Sequence, residues 1–235
     1  MRIAIRDKTF PPLAASPARP VLRDVCIELR RGERVMLFGP SGCGKTTTLN
    51  IAAGLDRAFA GKVDLAGARI GYVFQEPRLL PWLSALDNVR LPLTRGQDSR
   101  TRAQRWLEAM GVGDAADVYP NRLSLGMARR VAMARAFAVQ PDLLILDEPF
   151  ASLDAALAVR LRHLLLDTLA AQGAALLGVS HDLDEAVMLA DRLIVLGGVP
   201  ATIAHDLAIA LDAGQRRDAQ AVRARAAELR AVMCR

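Results

Sequence analysis

The chain has 235 residues, of which 52% are hydrophobic, and a formal net charge of +6. This length allows one large domain or a core with a subdomain, and the hydrophobic content excludes an intrinsically disordered chain. The excess of basic residues is compatible with nucleic acid, with an anionic membrane surface, or with a solvated arginine-rich surface. Only 4% of the residues are aromatic, so a stacking platform for single-stranded nucleic acid is poorly supported.

Two further features bear on where the chain works. Residues 1–7 carry charges where a signal peptide needs an apolar core, and no apolar run approaches the roughly 18 residues of a membrane-spanning helix. The three cysteines, Cys26, Cys43 and Cys234, are too few and too scattered for a disulfide framework or a zinc site. We therefore expect a protein of the reducing cytoplasm, either soluble or held at a membrane by another protein.

The first predicted elements are two strands, at residues 1–7 and 21–30. The second has the alternation of apolar and polar residues that is typical of a half-buried strand. Residues 10–20 between them are rich in proline and are predicted to form a loop, because proline cannot continue a helix. A turn at residues 31–33 then leads to the apolar run 35–38, which is predicted to be a third strand.

A glycine-rich segment follows that strand and fits G-x-x-x-x-G-K-[ST], the pattern of a phosphate-binding loop, or P-loop. Its candidate phosphate-contacting residues are Gly39, Pro40, Ser41, Gly42, Cys43, Gly44, Lys45, Thr46 and Thr47. Glycines let successive N–H groups point at an anion, and the helix predicted over 46–53 adds its positive dipole. Lys45 would reach the β- and γ-phosphates and Thr46 would ligate Mg²⁺. The segment therefore predicts a nucleoside triphosphate site, the alternative being a glycine-rich turn with an incidental lysine.

The middle of the chain changes from strand to helix periodicity. Short strands are predicted at 62–65 and 69–74, and helical patterns at 99–117 and 124–139. Residues 76–138 are therefore predicted to form a mostly helical subdomain inserted between strands.

The later part of the chain alternates strands with helices. Three uninterrupted apolar runs are typical of strands in a parallel sheet covered on both faces: residues 143–146, 175–179 and 193–196. Helical patterns lie between them at 155–171 and 183–189, and this alternation predicts an α/β fold. Residues 215–235 are predicted to form a C-terminal amphipathic helix.

A second nucleotide signal follows the apolar run 143–146. Asp147 would lie at the carboxyl end of a buried strand, which is where open α/β sheets bind ligands, and would hold Mg²⁺. Glu148 is placed to polarise an attacking water as a general base. Taken alone, the pattern could be a strand that ends in an acidic turn, but the P-loop upstream favours nucleotide chemistry.

The segment Leu123-Ser124-Leu125-Gly126-Met127 resembles the signature motif LSGGQ of the ATP-binding cassette (ABC) ATPases. Three more segments match that family's Q-loop, D-loop and switch histidine: Gln75, Ser152-Leu153-Asp154 and His181. The motifs follow one another in the family's order over roughly residues 21–200. The resemblance implies a single ABC ATPase domain over 1–235, with a P-loop NTPase (RecA-like) core, an N-terminal antiparallel β-subdomain and an inserted α-helical subdomain.

The resemblance also implies a mechanism with ATP and Mg²⁺ as cofactors. Two such domains would form a head-to-tail homodimer, in which Ser124 and Gly126 contact the ATP of the opposite protomer and Asp154 links the two sites. Gln75 would sense Mg²⁺ and the attacking water, and His181 would contact the γ-phosphate. The catalytic set is then Glu148, His181, Gln75 and Lys45, and the Mg²⁺ ligands are Thr46, Gln75 and Asp147.

Two positions, Phe10 and Leu125, leave alternatives open. Phe10 would stack on adenine as the family's A-loop residue does, or would be an ordinary apolar residue at a strand end. Leu125 replaces the first glycine of the signature pair, and Met127 replaces the usual glutamine. The Leu125 side chain could crowd the γ-phosphate, but would cost little if it adopts helical geometry and turns away.

Within the family, residues 71–82, 87–89, 147–150 and 181–186 look like those of the nitrate/sulfonate/taurine-type importer ATPases. This implies a subunit at the cytoplasmic face of the inner membrane that energises solute uptake. It would bind transmembrane permease subunits through the region around Leu79–Asn88 and a periplasmic or extracellular solute-binding protein indirectly, without nucleic acid.

The sequence is also compatible with other interpretations. The apolar side chains of residues 79–82 could pack under the helical subdomain instead of facing a permease. A non-transport ABC ATPase that acts on nucleic acid or ribosomes would usually carry coiled-coil insertions or a second cassette, which this sequence lacks. A catalytically weak regulatory subunit is suggested only by Leu125, and a P-loop kinase would need neither the signature motif nor Gln75 and His181.

Overall fold

The computed structural model describes residues 1–12, 17–94, 97–150 and 153–233. The chain divides into two compact units, one formed by Met1–Gly67 with Ala175–Arg235 and the other by Ala68–Ala174. Within the described ranges, every helix is too short or too polar to cross a membrane.

The first unit contains, in chain order, β1 (Arg2–Phe10), β2 (Arg19–Glu28), β3 (Arg34–Phe38), α1 (Lys45–Ala52) and β4 (Ala60–Asp64). Strand β1 lies between β2 and β4 in an antiparallel sheet of three strands. Alternate residues of β1 and β2, such as Ile3, Ile5, Val25 and Ile27, are buried, as the period of two predicts.

The proline-rich loop between the first two strands is shorter than predicted. Phe10 belongs to β1 and pairs with Arg19, the first residue of β2, and Pro20 pairs with Thr9. Proline is tolerated there because β2 is an edge strand of this sheet, where a missing N–H need not break a ladder hydrogen bond. Cross-strand pairing therefore extends both strands into a segment that its composition alone assigns to a loop; residues 13–16 lie outside the described residues.

The second unit contains β5 (Ile70–Val73), α2 (Ala85–Arg90), α3 (Gln97–Ala109), α4 (Leu125–Ala138), β6 (Leu143–Asp147) and α5 (Ala155–Gln172). Strands β5 and β6 are parallel, and α4 packs on β5 and on helices α2 and α3. Gly71 of β5 allows this packing, because a Cβ there would lie 2.5 Å from the carbonyl oxygen of Ala136 in α4. Across the α3–α4 contact, the rings of Trp106 and Phe137 stack with centroids 5.1 Å apart.

The six-residue helix α2 was not predicted from periodicity, because it is too short to show one. Its N-terminus is nevertheless marked in the sequence by Ser84, whose hydroxyl accepts a hydrogen bond from the Asp87 N–H at 3.1 Å. The three helices α2, α3 and α4 all lie within residues 76–138, the segment predicted to be helical.

The first unit continues with β7 (Ala175–Val179), α6 (Leu183–Leu189), β8 (Arg192–Gly197), β9 (Thr202–Ala208) and α7 (Ala219–Met233). Strand β3 lies between β7 and β8, parallel to both, and β9 pairs antiparallel with β8. Helix α7 buries Val222, Ala226 and Leu229 and follows a 3₁₀ turn at Gln215–Arg217. Strand β9 was not predicted, because it is nowhere fully buried and contains polar residues such as His205 and Asp206.

Candidate functional site

The P-loop connects β3 to α1 and is tightly packed. Gly39 and Gly44 have φ angles of +146° and +99°, which L side chains rarely adopt. A Cβ on Gly39 would lie 2.4 Å from the carbonyl oxygen of Leu196 in β8, and one on Gly44 would lie 2.6 Å from Cδ2 of Leu22 in β2. Both glycines are therefore required by conformation and by space, as a phosphate cradle demands.

The local geometry of the P-loop fits a polyphosphate. The Lys45 ammonium donates hydrogen bonds to the carbonyl oxygens of Gly39 and Pro40, at 2.8 and 2.9 Å, so its charge is held over the loop. Helix α1 starts after Gly44, receives no side-chain cap and has no acidic residue in its first turn. A positive helix end without a side-chain cap, next to a fixed cation, is suited to anionic oxygens.

Phe10, the candidate adenine platform, lies in the same unit as the P-loop. It pairs across the sheet with Arg19, whose Nη2 donates to the carbonyl oxygen of Gly42 at 3.3 Å. The Phe10 ring is 40% exposed, and the buried Lys8 ammonium lies 4.5 Å from its centroid. Phe10 is therefore connected to the P-loop through its cross-strand neighbour Arg19, which binds Gly42. Arg19 was missed by sequence reasoning, because no motif marks it.

His181 lies at the same edge of the sheet as the P-loop. Leu37 of β3 lies opposite Val179 of the parallel strand β7. Gly39 is two residues after Leu37, and His181 is two residues after Val179, so both follow the same end of the paired strands. Ser180 is buried, and its hydroxyl accepts a hydrogen bond from the N–H of Asp182 at 3.0 Å, while His181 between them is exposed. The imidazole is thus presented on a loop whose two flanking residues are fixed.

In the second unit, Gln75 and Glu148 meet. They follow the paired parallel strands β5 and β6, in which Val73 lies opposite Leu146. The Gln75 amide nitrogen donates to a carboxylate oxygen of Glu148 at 3.4 Å. Glu148 has a φ of +49°, a left-handed conformation that costs a non-glycine residue on the order of 1 to 3 kcal/mol and that clusters at functional sites. The predicted base and the predicted Q-loop glutamine therefore form one polar group.

Asp147, the last residue of β6, is only 4% exposed. Burial and, secondarily, the negative charge of Asp147 raise the pKa of the neighbouring Tyr72 hydroxyl. In the described residues there is no cluster of three or more His, Cys, Asp or Glu side chains that could form a complete protein cage for a metal. A single carboxylate is still suited to Mg²⁺, which commonly binds one or two carboxylates together with substrate phosphates.

The signature segment opens helix α4. Ser124 is the N-cap, and its hydroxyl oxygen accepts a hydrogen bond from the N–H of Met127 at 3.2 Å. Leu125 is the first helical residue, and its side chain is 55% exposed. A Cβ on Gly126 would lie 3.7 Å from the side chain of Leu153, which brings the signature and D-loop segments together.

Asp154, the D-loop aspartate, is the N-cap of α5 and accepts a hydrogen bond from the N–H of Leu157 at 2.9 Å. Ser152 of the same motif lies outside the described residues. Sequence reasoning also missed Arg135, whose guanidinium donates to the carbonyl oxygens of Pro77 and Arg78, both at 2.9 Å. Helix α4 therefore holds the segment that follows the Q-loop glutamine, a role that no motif indicates.

The segment from Leu79 to Asn88 is folded around one buried side chain. Asn88 accepts a hydrogen bond from the N–H of Leu80 at 2.7 Å and donates to the carbonyl oxygens of Leu80, Leu83 and Ser84. Leu79 and Leu80 are half-buried, whereas Trp82 is 68% exposed. The indole is therefore presented to solvent by a well-connected loop and is not packed under the helices.

The second unit also has a groove of about 290 Å³, which is lined in part by residues that precede and follow this segment in the chain. Its walls include Tyr72, Phe74, Arg78, Leu91 and Arg135. The Tyr72 and Phe74 rings stack at 3.9 Å, and the Arg78 guanidinium lies 4.3 Å from the Phe74 centroid. The groove thus combines aromatic and apolar surface with two cationic groups.

Known proteins resemble this chain over most of its length. The family described as ABC transporter is matched over residues 22–151. The aliphatic sulfonates import ATP-binding protein SsuB 1 of Xanthomonas axonopodis pv. citri (strain 306) is 48% identical, over 86% of this chain and 84% of that protein. Its namesake in Pseudomonas syringae pv. syringae (strain B728a) is 44% identical, over 97% of this chain and 94% of that protein.

Solved structures give the same result for the fold. A dimeric, post-hydrolysis state of the ATP-binding cassette MJ0796 bound to ADP and Pi matches with a TM-score of 0.80 and 30% identity, over 90% of this chain and 100% of that chain. A second dimeric structure of MJ0796, a bacterial ABC transporter cassette, matches with a TM-score of 0.79 and 29% identity. The predicted α/β P-loop NTPase fold is therefore confirmed, and this chain belongs to the ABC transporter family as one of its ATP-binding cassette ATPases.

Proposed function

We propose that this chain is the ATP-hydrolysing subunit of an importer that takes up aliphatic sulfonates or closely related organic anions. The observation that carries the proposal is the 44% to 48% identity, over 84% or more of each chain, with proteins named as ATP-binding subunits of aliphatic sulfonate import. The grouping of Gln75 with Glu148, and the P-loop geometry, support active hydrolysis over a regulatory role.

ATP bound at the P-loop would supply the phosphoanhydride bond that is hydrolysed, and Mg²⁺ would neutralise its phosphate charge. Within the chain, the P-loop amides and Lys45 would bind phosphate oxygens, and Phe10 would stack on the base. Thr46, Asp147 and Gln75 are the side chains that would hold the metal.

Hydrolysis would require a general base for the attacking water and a group that stabilises the negative charge on the γ-phosphate. Glu148 would take the proton from the attacking water, and the Gln75 amide, already bonded to that carboxylate, would help to orient the water. His181 would contact the γ-phosphate from the loop after β7. The positions of Ser124, Gly126 and Asp154 at or near helix N-termini suit contacts across a head-to-tail homodimer. The Ser124 hydroxyl can accept its cap bond and still donate to a phosphate oxygen of the partner's ATP.

The surface that would bind the permease combines exposed Trp82 with the groove between Tyr72 and Arg135. Aromatic side chains and arginines are enriched at protein interfaces, and both are present here. Binding there would hold the chain peripherally at the cytoplasmic face of the inner membrane. A solute-binding protein on the other side of the membrane would take part only through the permease.

The test is capture of the partner from detergent-solubilised membranes with tagged Glu148→Gln protein and ATP. Removal of the base should accumulate the ATP-bound state, and we expect a multi-spanning permease to be recovered. Trp82→Ser is the matched control, because it should lose the permease while ATP binding is retained. Recovery of ribosomes or nucleic acid, or of nothing from the membrane, would contradict the importer assignment.

A further inference from the structure

A buried arginine joins the C-terminal segment to the end of helix α6. Arg216, in the 3₁₀ turn before α7, is only 4% exposed. Its Nη1 donates to three carbonyl oxygens, those of Val187 at 3.2 Å, Met188 at 3.1 Å and Ala190. One guanidinium thereby satisfies carbonyl groups at the end of α6 that have no partner within the helix, and it places a positive charge at the negative end of the helix dipole.

The same guanidinium belongs to a cluster of charged side chains at the end of the sheet where β3 begins. Its Nη2 donates to a carboxylate oxygen of Asp191 at 2.9 Å, and Asp191 also binds the Arg34 guanidinium at 2.6 Å. Arg34 is the first residue of β3, the strand that leads into the P-loop. Burial, followed by the charge of Arg34, lowers the pKa of Arg216 to about 10, so its charge is retained near neutral pH. Burial alone would raise the pKa of Asp191, but the hydrogen bonds and charges of Arg34 and Arg216 lower it.

The opposite end of α6 holds the His181 loop. Asp182 is the N-cap and accepts a hydrogen bond from the N–H of Asp184 at 2.9 Å. The helix has seven residues and is therefore about 10 Å long, a single short rod. The helix also packs against β3, the strand that leads into the P-loop.

We propose that Arg216 is a positioning residue for His181, and that the C-terminal segment is thereby a part of the hydrolytic apparatus. Arg216 clamps the carboxyl end of α6, and α6 sets the placement of the imidazole at its amino end. The contact of His181 with the γ-phosphate is a part of the proposed function, and this inference rests on it. Loosening the clamp is expected to slow hydrolysis while leaving ATP binding at the P-loop intact.

The experiment compares the full chain with Arg216→Met, Arg216→Lys and a control, Arg225→Met. Arg225 also fastens α7, by donating to the carbonyl oxygen of Ala208 at 2.9 Å, but it touches no residue of α6 in its hydrogen bonds. We expect Arg216→Met to lower kcat for ATP about tenfold or more, since small misplacements of catalytic groups are costly. KM should stay within about twofold. Arg216→Lys should recover part of the rate, because an ammonium can replace some of these bonds.

A second readout follows the imidazole itself. The chain has three histidines, so NMR of ¹⁵N-histidine-labelled protein can follow His181 with His163 on α5 as an internal reference. We expect the His181 signals to move in Arg216→Met and to stay in Arg225→Met, with His163 unchanged in both. Equal losses of kcat in Arg216→Met and Arg225→Met, or unmoved His181 signals in Arg216→Met, would overturn the proposal.

Two complications are covered by this design. If Arg216→Met does not fold, Arg216→Lys is compared with Arg225→Met instead: a partial loss of kcat with moved His181 signals is expected, and kcat and His181 signals equal to those of Arg225→Met would overturn the proposal. If the wild-type chain, alone or with its permease, hydrolyses no ATP, the proposed function fails, whereas the His181 signals still test the link between Arg216 and α6.

Discussion

The two loops that open helices α1 and α4 would both bind nucleotide, but they are built in opposite ways. Helix α1 starts at Gly44, in a left-handed conformation and without a side-chain cap. Helix α4 starts at Ser124, whose hydroxyl caps the Met127 N–H. The N-terminus of α1 therefore has no side-chain cap that would compete with a ligand. The N-terminus of α4 is capped by Ser124, and the hydroxyl hydrogen of Ser124 can still be donated to a ligand. We expect the first loop to determine ATP affinity and the second to determine turnover.

The largest expected effect is on the P-loop side. Lys45→Met removes a fixed positive charge, and we expect ATP binding to weaken about a hundredfold, since charge-assisted hydrogen bonds are worth on the order of 3 kcal/mol. Calorimetric titration with ATP measures this. Lys62→Met, which removes the same charge from an exposed position on β4, should leave the affinity within about twofold. A comparable loss in both variants would mean that net charge, and not the loop, determines affinity.

On the signature side, Ser124→Ala should lower kcat about tenfold or more with little change in ATP affinity, because a hydrogen bond made only in the closed dimer would be lost. Loss of the helix cap should also cost about 1 kcal/mol of stability. Steady-state hydrolysis and thermal unfolding measure the two effects. Ser124→Thr keeps a hydroxyl and should restore most of the rate. A large loss of ATP affinity in Ser124→Ala would break the contrast between the two loops.

A smaller effect is expected at Phe10, the residue proposed to stack on the adenine of ATP. Phe10→Ala should weaken ATP binding about five- to tenfold, since stacking of a base on an aromatic ring is worth about 1 to 3 kcal/mol. Phe10→Tyr should bind ATP normally. Fluorescence titration with a nucleotide analogue, followed by competition with ATP, gives both values. An unchanged affinity in Phe10→Ala would make Phe10 an ordinary strand-end residue.

The smallest effect is expected at Leu125. Its exposed side chain at the first helical position leaves room at the signature loop, so Leu125→Gly should leave the ATPase rate unchanged or raise it by about twofold or less. A glycine there should reduce helix stability by up to about 1 kcal/mol. A clear fall in the ATPase rate would contradict this expectation and would mean that turnover needs the Leu125 side chain itself.

The sequence by itself determined the features that depend on a few neighbouring residues. The P-loop follows from its glycines and Lys45, and the buried strand before Asp147 follows from four consecutive apolar residues. Helices α4 and α5 begin and end within one residue of the predicted segments 124–139 and 155–171, whereas α3 ends at Ala109, before the predicted end at residue 117. Such features are encoded locally, because backbone preference and side-chain spacing act over one or two turns.

Only the tertiary structure decided which distant residues meet. Gln75 and Glu148 are 73 positions apart, and their contact depends on the parallel register of β5 and β6. Three more features likewise depend on packing between distant segments. They are the extension of β2 through Pro20, the cross-strand pairing that places Arg19 next to Gly42, and the hydrogen bonds of Arg216 to the end of α6. A motif fixes residue types at short spacing, whereas these contacts require the register of whole strands and the burial of many side chains at once. That is why the nucleotide chemistry could be predicted from the sequence, and the residues that hold it in place could not.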